Sequence, residues 1–127
     1  MGHPTDLRYT KEHEWLRSDG KRLTLGITAH AQKELGDIVF VELPAVGAAV
    51  HQGGDLAIVE SVKAVGEVLA PVSGTVVEIN GELESAPQSI NEDPYGAGWI
   101  AVIEMDDPGQ VDAALTAEDY ERLLEAA

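Results

Sequence analysis

The sequence predicts a mainly β domain with a helix appended at its C-terminal end. Three observations carry that reading. Short apolar runs are separated by Gly, Pro and Asn at close intervals, the pattern of strands and turns. Apolar residues make up 44 % of the 127 residues, enough for a packed core and too many for wholesale disorder. A helical period emerges clearly only near residue 116. A chain of this length fits a single domain over 1–127, with an N-terminal tail at 1–6 left free to be disordered.

The elements follow in order. His13–Arg17 and Arg22–Ile27 read as two strands, and Ser18-Asp19-Gly20-Lys21 between them carries the Asp-Gly signal of a hairpin. Thr28 is placed to cap a short helix near 28–35, which Gly36 ends. Ile38–Leu43 is a strand with apolar residues on both faces, closed by Pro44. Leu56–Val62 is another strand and Val65–Leu69 a weaker one. Thr75–Ile79 follows Ser73-Gly74 and stops at Asn80-Gly81. The segment from Gly81 to Gly98 is polar, carries Pro87 and Pro94, and reads as a loop with a short helical turn. Trp99–Met105 is the last strand, and Asp106-Asp107-Pro108-Gly109 reads as a turn. Thr116-Ala117-Glu118-Asp119 resembles a capping box, opening a helix near 116–125 with Leu115, Tyr120, Leu123 and Leu124 on one face. Two small antiparallel sheets face to face, or a flattened barrel, would bury these strands; the pattern alone does not choose.

Charge narrows the function. Eight Lys and Arg stand against 23 Asp and Glu, a formal charge of -15. Such a surface is a poor partner for nucleic acid or an anionic membrane, because both depend on neutralising phosphates. Cationic proteins and amine-bearing ligands fit better. No cysteine is present, which excludes a disulfide framework, thiolate zinc and a cysteine nucleophile, and leaves the redox compartment undetermined. No apolar run approaches the roughly 20 residues of a membrane span. The first residues lack a secretory or transit pattern, so the chain is expected to be cytoplasmic.

Cations are unevenly placed. Between Glu34 and Glu121 the only one is Lys63, in Glu60-Ser61-Val62-Lys63-Ala64-Val65-Gly66. In strict alternation Leu56, Ile58, Glu60 and Val62 share one face, and Ala57, Val59, Ser61 and Lys63 the other. Neither Asn-Gly nor Asp-Gly follows, so a tight hairpin is not assured. A lysine at a strand end is commonly just solvated. This one is also sterically open among small residues, and acylation would turn its ammonium into a neutral amide on a long apolar arm. Both readings stand on the residues alone.

The wider sequence resembles the H-protein family of the glycine cleavage system, from Tyr9 to about Leu124. Tyr9-Thr10-Lys11-Glu12-His13-Glu14-Trp15 is similar to the family's N-terminal strand, and Gly26-Ile27-Thr28-Ala29-His30-Ala31-Gln32 to its first helix. Leu35-Gly36-Asp37-Ile38-Val39-Phe40-Val41-Glu42-Leu43-Pro44 follows the same pattern. Val59-Glu60-Ser61-Val62-Lys63-Ala64 resembles the lipoylation segment. Ala70–Asn80 and Asn91-Glu92-Asp93-Pro94-Tyr95-Gly96-Ala97-Gly98-Trp99 complete the order at family spacing. Val65-Gly66 departs from it, standing where smaller polar residues are common.

The resemblance implies a barrel-sandwich hybrid of two small antiparallel sheets, with lipoic acid in amide linkage to Lys63 at a hairpin tip. It implies a non-catalytic carrier that meets three enzymes in turn. A pyridoxal-phosphate glycine decarboxylase loads an aminomethyl group, a tetrahydrofolate-dependent aminomethyltransferase takes its carbon and frees ammonia, and dihydrolipoamide dehydrogenase reoxidises the dithiol. Lipoate-attaching enzymes are further partners, and a monomer is expected. Because the dithiolane supplies the redox chemistry, a redox carrier without cysteine is consistent. An aminomethyl amine would gain from a carboxylate and a dry cleft. Glu14, beside Trp15, is one candidate for that carboxylate and Glu67, close behind the lysine, a second; the plain alternative is that both are surface acids.

Other readings fit less well. Lipoyl domains of 2-oxo acid dehydrogenases usually have Asp-Lys-Ala, and biotin carriers Met-Lys-Met, whereas Val62 and Ala64 flank Lys63 here. An H-like protein that relays lipoyl groups to other enzymes is the main alternative. An acidic interaction module with an unmodified lysine is another. His3, His13, His30 and His51 show no metal-ligand spacing, so no metal is expected. Gly53-Gly54-Asp55 precedes a strand and is no phosphate cradle.

Overall fold

The computed structural model describes residues 4–126, and His3 and the first half of the predicted tail fall outside them. Residues 5 and 6 form a turn, Leu7 is buried, and the Tyr9 hydroxyl donates to the Pro4 carbonyl, so the described part of that tail is anchored.

Among the described residues, nine strands form two antiparallel sheets. They are β1 (Arg8–Tyr9), β2 (Glu14–Asp19), β3 (Arg22–Ile27), β4 (Ile38–Glu42), β5 (Ala49–Val50), β6 (Asp55–Ser61), β7 (Val65–Leu69), β8 (Gly74–Ile79) and β9 (Ala101–Met105). The larger sheet has the order β1-β2-β3-β9-β8-β5, and the smaller β4-β6-β7. Their inner faces meet in one core of aliphatic residues that includes Leu16, Leu25, Val41, Val59, Val76 and Ile103. The mainly β, two-sheet class and the appended helix are as the sequence predicts.

The local signals hold. Asp19 pairs with Arg22 across Gly20, whose φ of 63° is the left-handed value that favours glycine. Helix α1 (Ala29–Leu35) is capped by Thr28, whose hydroxyl accepts from the Ala31 N–H, and it stops at Gly36 with φ 85°. Asn80 ends β8 by donating to the Ala97 and Trp99 carbonyls, closing the 81–98 segment onto itself.

Three readings are corrected. The loop at 81–98 holds two helical pieces, a 3₁₀ turn at Gly81–Glu84 and helix α2 (Ser89–Glu92), because Leu83 and Ile90 are both fully buried and fix each piece. The turn after Met105 continues as a 3₁₀ helix, Pro108–Ala113, capped by the Asp107 carboxylate. Strict alternation in β6 fails at its start: a register shift between Asp55 and Ala57 lets Leu56 and Ala57 both be buried.

Helix α3 (Ala117–Ala126) begins after Thr116, whose hydroxyl accepts from the Asp119 N–H. It lays Tyr120, Leu123 and Leu124 against Leu7, Tyr9, Trp15 and Leu115 in a second cluster. The Tyr9 and Tyr120 rings stack with centroids 4.8 Å apart. No described helix is long and apolar enough to cross a membrane.

Candidate functional site

Lys63 stands in the turn that joins β6 to β7, and its side chain is exposed. The turn is tight without Asn-Gly, because Ser61 closes it. The Ser61 N–H donates to the Ala64 carbonyl at 2.8 Å, and the Ser61 hydroxyl accepts from the N–H groups of Lys63 and Ala64. A second tie comes from outside, as the Val62 N–H donates to the Asp37 carbonyl at 3.0 Å. The lysine stem runs over Gly36: a Cβ there would meet Lys63 Cε at 3.4 Å. Among the described residues Lys63 has no ion-pair partner. Its amine is therefore free to be acylated, on a backbone that is fixed from two sides.

Beside the turn lies a cleft of about 290 Å³. Leu35, Val59, Gly66 and Val68 give it apolar walls, and Glu12, Glu34 and Glu67 bring carboxylates to it. His13 and His30 also line it, with ring centroids 4.7 Å apart. Scattered in sequence, the two meet here because His13 adopts φ 69° at the entrance to β2, and its Nδ1 lies 2.7 Å from the Tyr120 hydroxyl. Burial, and then His30, hold the His13 imidazole below its usual pKa, which favours the neutral ring. No group of three His, Asp or Glu side chains among the described residues is arranged to hold a metal.

The two candidate carboxylates are placed differently. Glu67 is exposed on β7 and lines the cleft. Glu14 is buried and lines a neighbouring cavity, also about 290 Å³, with Thr10, Leu69 and Leu115. Its Oε2 accepts from the Leu69 N–H at 2.8 Å and its Oε1 from the Thr10 hydroxyl at 3.1 Å. Burial nevertheless raises its carboxyl from an ordinary 4.5 to about 7, outweighing the two hydrogen bonds. Glu12 touches both cavities.

The family model described as Glycine cleavage H-protein matches residues 7–127. The chain belongs to the glycine cleavage H-protein family. It is 52 % identical over 122 residues to the glycine cleavage system H protein of Carboxydothermus hydrogenoformans, covering 96 % of this chain and 94 % of that one. Against the glycine cleavage system H protein of Xanthomonas campestris pv. campestris it is 54 % identical over 123 residues, with the same coverage. The crystal structure of a glycine cleavage system H protein from Mycobacterium marinum superposes with a TM-score of 0.88 at 39 % identity, covering 97 % of this chain and 99 % of that one.

Within this H-protein family member, sequence reasoning named Lys63, Glu14 and Glu67 and missed Glu12, Glu34 and the histidine pair. A signal was available for Glu34: it lies on α1 four residues after His30, hence on the same helix face. None was available for Glu12, which stands one residue before the positive φ of His13 and lines the cleft only in the folded chain.

Proposed function

We propose that Lys63 is the attachment point for lipoic acid, in amide linkage through Nζ. The exposed, unpaired amine on a braced hairpin turn is the observation that carries this reading. The chain's function is that of its family, the lipoyl carrier of the glycine cleavage system. It works as a carrier subunit of a multi-enzyme system.

When bound, the lipoyl dithiolane supplies the redox chemistry and holds the carbon unit. The protein's residues do the rest. Ser61 holds the turn closed, so that the arm leaves from a defined point. Gly36 offers a surface without a side chain along which the lysine stem lies. Tethering raises the effective concentration of the group at each partner's site, because every encounter after the first is local. The cleft beside the turn fits a protonated amine: Glu67, Glu12 and Glu34 offer charge, and Leu35, Val59 and Val68 limit water. Glu14 remains a second candidate for the amine, acting from the adjoining cavity once its carboxyl is ionised.

The partners in this reading are glycine decarboxylase, aminomethyltransferase and dihydrolipoamide dehydrogenase, with a lipoate-attaching enzyme acting first. The protein is a single carrier domain, non-catalytic, working as a monomer in the cytoplasm. A glycine–bicarbonate exchange assay with the decarboxylase tests the role. Exchange that depends on this protein, and is lost in Lys63→Arg, supports it; exchange that survives the substitution overturns it.

A further inference from the structure

We propose that Asn91 is a positioning residue for the Lys63 turn, acting through residues 36–38, the two-residue connection after α1 and the first residue of β4. The proposal rests on reading Lys63 as the attachment point. Asn91 lies on α2, in a stretch that no other part of the functional account uses. Its carboxamide makes three bonds of 2.9 Å: Oδ1 accepts from the Ile38 N–H, and Nδ2 donates to the Gly36 carbonyl and to Gln32 Oε1. Gly36 and Ile38 flank Asp37, so one side chain grips the main chain on both sides of it. Asp37 in turn presents the carbonyl that receives the Val62 N–H, and Gly36 is the surface the Lys63 stem crosses. Asn91 thus sets the direction of the Asp37 carbonyl and the position of Gly36, and through both the path of the lysine.

The anchor itself is firm. Ile90, next to Asn91, is fully buried, and Gly98 packs so closely that a Cβ there would come within 2.8 Å of Ile90 Cα. Tyr95, on the same loop, accepts from the Ala29 N–H at the start of α1, while Asn91 holds that helix's far end. Only a carboxamide serves at 91, since one oxygen must accept while the nitrogen donates twice. Aspartate has the shape and lacks the donors, so it would face the Gly36 carbonyl with a second acceptor.

The test uses full-length Asn91→Asp, with Gln32→Ala as a control that removes the Gln32 side chain's bonds to Asn91 and to the Ala29 carbonyl, both remote from Asp37. Lipoate attachment is measured with lipoate, ATP and a lipoate-attaching enzyme, alongside amide hydrogen exchange and thermal melting. Asn91→Asp is expected to lower kcat for attachment about tenfold, with KM for the protein unchanged, and to speed exchange of the Val62 amide about tenfold over those of Val59 and Val68. Gln32→Ala should change each by less than about twofold. Unchanged attachment, or faster exchange spread evenly through β6 and β7, overturns the proposal. If the parent protein accepts no lipoate at Lys63, the functional reading fails, and the Val62 amide alone decides whether Asn91 positions the turn.

Discussion

Glu14 Oε2 accepts the main-chain N–H of Leu69 at 2.8 Å, joining the start of β2 to the end of β7 across the two sheets. A buried carboxylate thus closes a gap that no strand pairing fills, and it does so with its carboxyl raised to about 7. The folded state therefore holds a proton that the unfolded chain has released once the pH exceeds its ordinary 4.5. Between those values the folded state binds more protons, so stability falls as pH rises. The rise corresponds to about 3 kcal/mol at about 1.4 kcal/mol per pH unit. Glu14→Gln keeps an acceptor for Leu69 and removes the charge. Chemical denaturation of both proteins from pH 5 to 8 should show the parent losing about 2.5 kcal/mol relative to the variant, the remainder falling below pH 5. Parallel profiles would contradict this.

The cleft residue makes a separate prediction. Glu67→Ala should speed ammonia release from the aminomethyl-loaded carrier, because a charge partner of the amine is lost. Glu14→Ala should do the same only if the amine reaches the adjoining cavity. Equal decay rates in the parent and Glu67→Ala would remove Glu67 from the account.

Much of the fold was open to sequence reasoning because its signals are local. Asp19-Gly20 marks a hairpin, and Thr28 with Gly36 brackets α1, since each uses groups a few residues apart. The two-residue strands β1 and β5 left no such trace; each exists only through its partner, Arg8 against Leu16 and Ala49 against Thr75. Sheet order was equally hidden, because β3 pairs with β9 although β4 to β8 lie between them in the chain. At the site, the isolation of Lys63 among acids was visible, whereas the Ser61 hydroxyl that shapes its turn acts through backbone N–H groups that no residue pattern marks. Which cavity Glu14 faces depends on Leu69 and Thr10 meeting it in space, and no pattern in the chain states that.

Packing of the larger sheet supplies a stability prediction. Gly74 pairs with Met105 so closely that a Cβ would lie 2.1 Å from the Glu104 carbonyl oxygen. A backbone atom has no rotamer with which to move away. Gly74→Ala should cost about 3 kcal/mol and lower the melting temperature by roughly 10 °C. A calorimetric midpoint within a degree of the parent would refute the contact.

Charge around the lysine predicts a salt effect. Glu12, Glu34, Asp37, Glu42 and Glu67 are all exposed near the turn, the cleft or the smaller sheet. Cationic partner rims would be steered toward them. Raising ionic strength from about 0.01 M to about 0.15 M shortens the screening length from about 30 Å to about 8 Å, and should slow transfer through encounter while leaving single-turnover rates of preformed complexes unchanged. Transfer indifferent to salt would argue against electrostatic docking.

The most direct measurement is the intact mass of the protein purified from its own cells. The account predicts one added lipoyl group, mapped to Lys63 and absent from Lys63→Arg. A mass equal to that of the bare chain under conditions where the cells cleave glycine, or a modification that persists in Lys63→Arg, would contradict it.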